Sequence, residues 1–419
     1  MKKKRIGLAL ASLLLVCAMA ANLIGCSAEV RAKDLMEGVT PKKVSAQGDP
    51  GTQNADVTDF AVRLFRASAK SGENTLVSPL SVLCALAMTA NGADGETLEQ
   101  MEAVLGMSAE ELNGYLYRYV KSLPQGVSYQ LSLANSIWFT EDRRFTVERD
   151  FLQLNADYYG ADIYQAPFND QTRRDINNWV KQKTDGMIPE VLDRIPEDAV
   201  MYLVNALAFE AEWPKPYEKH QVRDGKFTKE DGSGQNVEFM YSTEGVYLED
   251  ENASGFIKYY KGAKYAFAAM LPHEGVSVSD YVASLDGASL SAMLADPQYT
   301  TVYTSIPKFE AEYSAELSEI LEGMGMPRAF DAENAEFGRL GVFSEGNIYI
   351  SRVLHKTFIS MGEKGTRAGA VTVVEMSGES AALDPREPKQ VYLDRPFVYM
   401  LIDCENSIPF FIGTMMSVK

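Results

Sequence analysis

Cysteine is scarce, with four in 419 residues. Two of them, Cys17 and Cys26, fall in the N-terminal leader or at its end, leaving only Cys84 and Cys404 in the body of the chain. A disulfide-stapled exported scaffold would carry an even and larger set. Cys84 sits in the apolar run SVLCALAM, and Cys404 stands beside Asp403 and Glu405 at a strand end. Both read as free thiols packed as small hydrophobes. Histidine is scarcer still, at three. His220 and His273 lie in polar text, EKHQV and LPHEG, and read as solvated surface residues. There is no His-Glu-x-x-His, no Cys-x-x-Cys and no Cys/His cluster at ligand spacing, so neither a metal nor a cofactor is expected. The strained Gly-x-Ser-x-Gly elbow of a hydrolase is missing as well. Gly362-Glu-Lys-Gly365-Thr366 lacks the spacing of a phosphate loop and precedes no helix. Together these absences argue against an enzyme. Positive charge is also in deficit: 40 Lys and Arg face 58 Asp and Glu, a formal charge of −18. Loss of the four basic leader residues takes the mature chain to −22. That argues against nucleic acid and heparin-like polyanions as partners.

What is present begins with a processing segment, residues 1–25. Lys2, Lys3, Lys4 and Arg5 precede an apolar run, Ile6 to Ala21, too short and wrongly flanked for a stable span. It ends in Leu23-Ile24-Gly25-Cys26, which resembles the bacterial lipoprotein signal. The resemblance implies that Cys26 is lipidated and becomes the mature N-terminus, giving an exported, membrane-anchored protein at the bacterial cell surface. Residues 26–56 have little periodicity and many small and polar residues, and read as a flexible tether. The remaining stretch, 57–419, holds no second linker and no internal repeat. One large domain is the simplest account, although it exceeds the usual size of a single core.

Within that domain, helical patterns gather early. Phe60, Leu64, Phe65 and Ala69 share one face behind a candidate N-cap at Asp56 to Asp59; SVLCALAMTANGA, ETLEQMEAVLG (stopped by Gly106) and Ala109 to Leu123 follow. Strands dominate later. AVMYLVNALAFEAEW and IYISRVLHKTFISM are longer than usual strands and apolar on alternate positions, which implies a large sheet with one covered face. YAFAAML, RPFVYMLI and IPFFIGTMM are apolar almost throughout, as in strands buried on both faces. The composite is an α+β domain.

Several of these stretches carry a family resemblance. ENTLVSPLSVLCALAMTANGADGETLEQM resembles the opening block of the serpins, and LANSIWF, INNWVKQKTDGMI, LVNALAFEAEW, IPKFEAEYSAELSEILEGMGMPRAF, IYISRVLHKTFISMGEKGT, DRPFVYMLID and FFIGTM follow in the family's order. The resemblance spans about 360 residues. It implies the serpin fold, three β-sheets with eight or nine helices and an exposed reactive-centre loop, in a monomer. It also implies a serine protease as covalent partner, trapped as an acyl-enzyme when the cleaved loop inserts into the main sheet. His355, in the apolar text VLHKTF, needs a polar partner if buried; the resemblance groups it with Ser78, Ser81 and Asn205 in a shutter below the point where the sheet parts. Trp213 matches the tryptophan at the breach above, and Lys308 and Glu363 match a charged pair there.

The segment EKGTRAGAVTVVEMSGESAALDPREPKQ, Glu363 to Gln390, carries the loop. Thr366, Ala368, Ala370, Thr372, Val374 and Met376 share one strand parity, small and uncharged, while Arg367 and Glu375 fall on the other. Such a face can enter a sheet with little desolvation or overpacking. With the resemblance, Glu363, Gly365, Thr366, Ala368, Ala370 and Thr372 form the hinge. Non-inhibitory serpins, which bind or play structural roles, often have charged, bulky or proline residues there; here Pro385 is the first proline after Glu363. Family spacing from the hinge sets the scissile bond at Glu379–Ser380, whereas spacing back from Arg395-Pro396-Phe397 gives Pro385–Arg386. The hinge spacing is the firmer guide, because inserted length sets how far the protease travels. A glutamyl-specific, subtilisin-like or elastase-like target fits this text.

Overall fold

The computed structural model describes residues 30–44, 51, 53–142, 145–196, 199–344, 346–366 and 387–418. Four helices gather early, as their periodicity predicts: α1 (Asn54–Ser68), α2 (Pro79–Ala90), α3 (Gly95–Leu105) and α4 (Ala109–Ser122); α5 (Arg149–Tyr159), α6 (Asp170–Lys183) and the shorter α7 (Val278–Ser284), α8 (Gly287–Ala295) and α9 (Ser318–Met324) come in addition to them. Gly106 ends α3 at φ 81°, a left-handed position that glycine adopts without Cβ strain. The first helix starts earlier than expected. Gln53 is its N-cap, so Asp56 lies inside the first turn, where its charge favours the helix dipole.

The main sheet has seven strands: β1 (Lys33–Asp34), β3 (Tyr129–Thr140), β5 (Asp162–Ala166), β6 (Met201–Glu212), β12 (Phe309–Glu316), β14 (Arg352–Gly362) and β15 (Gly365–Thr366). They run in the order β1-β5-β3-β6-β15-β14-β12. A nine-stranded sheet contains β2 (Thr75–Val77), β7 (Val222–Thr228), β8 (Gly234–Glu249), β9 (Ala253–Tyr259), β10 (Tyr265–Pro272), β11 (Gln298–Pro307), β16 (Lys389–Tyr392), β17 (Phe397–Asp403) and β18 (Ile408–Met415). A ribbon of β4 (Phe145–Val147) and β13 (Gly341–Phe343) completes three sheets among the described residues. The apolar strands β10, β17 and β18 are buried at every position.

Two expectations are corrected here. At β6 the main sheet is covered on both faces, whereas β12 keeps one face open, with Glu310 and Glu312 exposed. Leu203, Leu207 and Phe209 of β6 join the large core that includes α2, while Tyr202, Val204 and Ala206 of the same strand pack with Ile176, Trp179 and Val180 of α6. Alternation in the sequence therefore reflects two different apolar layers. The supposed tether is also partly packed. Residues 33–34 form β1 against the edge of β5, in register Lys33↔Gln165 and Asp34↔Tyr164. Leu35 N–H donates to Ile163 O at 2.9 Å, Lys42 N–H reaches Asp157 Oδ1 at 2.7 Å, and Leu35, Met36 and Val39 lie on the large core. Pairing and burial fix this stretch despite its polar composition.

Candidate functional site

The loop base lies where β6 and β14 part. Their parallel ladder runs from Arg352↔Tyr202 up to Thr357↔Leu207. Above that, β14 continues to Gly362, turns through Glu363 and Lys364, and comes back as β15 in the gap. Gly365 pairs with Gly362 and Glu212, and Thr366 with Met361 and Ala211, antiparallel on both sides. Two residues of the hinge thus already occupy the place of a strand. Gly365 has φ +146°, and a Cβ there would meet Ala211 O at 1.9 Å. Only glycine fits. Thr366 is fully buried, and its hydroxyl bonds to Tyr260 Oη.

The turn is gripped from one side. The Trp213 N–H donates to Lys364 O at 2.8 Å, its indole N–H donates to Gly362 O at 3.0 Å, and the Tyr217 N–H donates to Glu363 O at 2.8 Å. Trp213 stacks on Tyr260 with ring centroids 4.4 Å apart. On the outer side, Lys308 Nζ lies 2.9 Å from Glu363 and 2.7 Å from Glu238. Its hydrogen bond to Lys308, helped by its own backbone N–H, holds the Glu363 carboxyl below the usual carboxylate range. Glu238 and then Glu363 hold the Lys308 ammonium above the usual lysine value. The pair is half exposed, so it contributes little stability by itself.

Lower in the gap, four polar residues meet in a dry core. Ser78 caps α2, whose first turn places Ser81 under the sheet. Ser78 N–H donates to His355 Nε2 at 3.1 Å, so Nε2 is the acceptor and Nδ1 carries the proton; Nδ1 donates to Asn205 Oδ1 at 2.5 Å. Ser81 Oγ reaches the same Asn205 oxygen at 3.1 Å, and Asn205 Nδ2 donates to Leu354 O at 3.2 Å. Burial alone pushes the imidazole pKa down to about 3, so the ring is neutral. His355 and Asn205 are direct partners across the β14–β6 ladder. These bonds bridge the line along which a new strand would enter.

The sequence-derived residues therefore fall in two groups that the structure assembles: Trp213, Lys308, Glu363, Gly365 and Thr366 above, and Ser78, Ser81, Asn205 and His355 below. Ala368, Ala370, Thr372, Glu379, Ser380 and Cys26 lie outside the described residues. His220 and His273 are exposed, and Cys84 and Cys404 are free thiols. Four participants escaped the sequence reading. Tyr217 and Tyr260 look like ordinary core aromatics in sequence. Thr357, whose hydroxyl donates to Leu76 O at 2.7 Å, sits in an apolar run, and Asn135 of β3 lies directly opposite Asn205. An asparagine at position 135 amid apolar text was the one available sign, since a buried amide needs partners.

Residues 55–418 match the family model for serpins, described as serine protease inhibitors. An uncharacterised serpin-like protein of Thermococcus kodakarensis is 28% identical over 371 residues, 87% of this chain and 85% of that one. Leukocyte elastase inhibitor of Equus caballus is 28% identical over 381 residues, 86% and 98% of the two chains. The crystal structure of the thermophilic serpin tengpin in its native state superposes with TM-score 0.88 at 48% identity, covering 93% of this chain and 100% of that one. Tengpin in its latent state gives TM-score 0.79 at 47% identity, covering 90% and 100%. With a matched domain of this extent and a loop base lodged between two strands of the main sheet, the chain belongs to the serpin family.

Proposed function

We propose that this chain is a suicide-substrate inhibitor of serine proteases, an activity typical of its family, rather than an enzyme or a non-inhibitory serpin. The observation that carries the reading is β15: Gly365 and Thr366 already pair with strands on both sides. Thr366 is fully buried, on the parity that continues through Ala368, Ala370 and Thr372. Insertion needs only extension of a strand that has been started.

The protease serine adds to the carbonyl of the scissile bond, for which Glu379–Ser380 is the preferred place. The amine of Ser380 leaves with a proton, and residue 379 remains as an ester on the enzyme. Freed at that end, the loop zips downward from Thr366. It replaces the single parallel β6–β14 ladder, which spans Tyr202–Leu207, with two antiparallel ladders. About a dozen extra hydrogen bonds, at roughly 0.5–1.5 kcal/mol each, stabilise the inserted form by on the order of 10 kcal/mol. His355 and Asn205 must exchange partners as the strand passes. The enzyme is carried to the far pole, and its distorted site cannot admit water to the ester. Serpin loop insertion is a known instance of such strand addition.

Incubation with pancreatic elastase, subtilisin and a glutamyl-specific protease tests this. An SDS-stable complex with at least one, releasing a peptide that starts at Ser380, is expected. Cleavage by all of them with no complex would sink the reading, and a new N-terminus at Arg386 would move the bond to Pro385–Arg386. Lipidation of Cys26, with anchorage at the outside of a bacterial membrane, completes the proposal. Cys26→Ser should leave the membrane fraction, and retention there would refute the anchor.

A further inference from the structure

Behind the two aromatic residues that grip the loop base lies a buried ion pair. Lys258 of β9 is 8% exposed, and its Nζ lies 2.6 Å from Glu244 Oε1 of β8 and 3.4 Å from Ser242 Oγ. The same ammonium stands 5.0 Å from the ring centre of Trp213 and 4.9 Å from that of Tyr217. Tyr217 Oη bonds to Ser242 Oγ at 3.0 Å, and Ser242 Oγ donates to Glu244 at 2.6 Å. Burial by itself would pull the Lys258 ammonium down, but Glu244 and Tyr217 outweigh it and leave the group above the ordinary lysine value. It is therefore charged, and both rings present their faces to it.

This cluster is costly. Replacing a buried pair with packed apolar side chains is often neutral or stabilising, so stability gives it a poor rationale. Its position supplies a better one. Trp213 and Tyr217 together hold the carbonyls of three consecutive turn residues, Gly362, Glu363 and Lys364. Trp213 also stacks on Tyr260, which bonds to Thr366. On the other side, Ser242 Oγ lies 3.1 Å from Thr304 Oγ1 of β11, and Thr304 is paired with Val391 of β16, the strand that follows the loop. The cluster touches both feet of the loop.

We propose that Lys258 and Glu244 are positioning residues for loop insertion: their ion pair fixes Trp213 and Tyr217, and through them keeps β15 seated as the nucleus of the inserting strand. The proposal rests on the inhibitory reading for its consequence, since insertion races deacylation and a loosened nucleus loses time. Its geometric content stands without that reading.

The test compares the full-length chain with Lys258→Met, Lys258→Arg and the double variant Lys258→Met with Glu244→Met. Two readouts are taken: hydrogen exchange of the peptide spanning residues 361–366, and the number of inhibitor molecules consumed per molecule of protease trapped, with pancreatic elastase, subtilisin and a glutamyl-specific protease each tried. Lys258→Met and the double variant should raise exchange in that peptide at least tenfold and raise consumption severalfold. Lys258→Arg, which keeps a cation over both rings, should recover most of each. The double variant leaves no unpaired buried charge, so it keeps the test open if the single variant folds poorly. Unchanged exchange at 361–366 in a folded double variant overturns the proposal. Faster exchange with unchanged consumption overturns the link to insertion speed. If the wild type traps none of pancreatic elastase, subtilisin and a glutamyl-specific protease, the inhibitory reading fails in that result, while exchange still decides whether the ion pair seats β15.

Discussion

His355 has no exposed atom and two partners of opposite character, an N–H donor from Ser78 on one nitrogen and the Asn205 oxygen on the other. Only the neutral ring with its proton on Nδ1 satisfies both. Protonation would put a second N–H against the Ser78 amide with no acceptor. The folded pKa of about 3 lies below the ordinary 6.5, so between these values the unfolded chain binds more protons than the folded one. Stability from this group is fully present above pH 6.5 and is lost as pH falls toward 3. Between pH 7.5 and 5.5 the loss amounts to about 1.4 kcal/mol. Other groups titrate too, so the measurement is a comparison. His355→Gln can keep a donor and an acceptor but cannot titrate, and should be less stable than wild type at pH 7.5. That gap, read from denaturant unfolding, should narrow by about 1.4 kcal/mol at pH 5.5. A constant gap would mean that the ring is not held neutral. His355→Phe removes both bonds and should destabilise by on the order of 3 kcal/mol, because the Ser78 N–H and the Asn205 oxygen lose a partner in a dry site.

At the scale of elements, β15 decides the most. Gly365→Ala would place a methyl group on Ala211 O and strain a φ that alanine avoids. The expected outcome is expulsion of β15, several inhibitor molecules consumed per protease trapped, and little change in the overall unfolding midpoint. Unaltered trapping would show that the two seated residues are not needed. The opposite edge of the sheet gives a second forecast. Removing residues up to 44 uncovers the β5 edge and the seats of Leu35, Met36 and Val39, which at about 25 cal/mol per Å² contribute on the order of 3 kcal/mol. The thermal midpoint should fall by about 5 °C, with faster exchange in Asp162–Ala166; an unshifted midpoint would mean that β1 adds nothing. The two elements differ in how far sequence discloses them. The hinge parity can be read from sequence because strand faces alternate strictly, and Thr366, its one member among the described residues, is buried. A two-residue strand like β1 has no period to detect, and its apolar residues, Leu35, Met36 and Val39, are too few to outweigh the polar text around them. The Lys258–Glu244 pair was hidden for another reason. A lysine in ASGFIKYY looks like a strand's wet edge, and its partner sits on the neighbouring strand beyond a reversal that fixes no register in advance. Lys308 and Glu363, 55 positions apart, could be joined only through family resemblance.

For the molecule as a whole, the sheet is unfinished. β14 and β6 pair directly over six positions and are wedged apart above them by two residues of a loop that has many more to give. On the proposed insertion, completing the sheet would exchange one ladder for two and bury the small parity face, which would make the present form a kinetic resting place rather than the free-energy minimum. A relative at 48% identity has been crystallised in both native and latent states, and this chain superposes better on the native one, with TM-score 0.88 against 0.79. Below the wedge β6 and β14 are held together across their ladder by His355 and Asn205, bonded in turn to Ser78 and Ser81; on the proposed insertion these bonds have to be exchanged before a strand can pass. The barrier and the driving force are therefore built from different residues and can be measured apart. Cutting the loop beyond its inserting stretch, within residues 379–386, with a protease that is not trapped releases the constraint without altering a side chain of the core. On the order of 10 kcal/mol of new pairing, at roughly 2 °C per kcal/mol for a chain this long, should raise the thermal unfolding midpoint of the nicked protein by about 20 °C. The same cut in a Thr366→Arg variant, which would have to bury a charge beneath the sheet, should raise it little. A nicked wild type that melts where the intact protein does would show that this loop is cleaved and left outside, and would remove the basis for trapping.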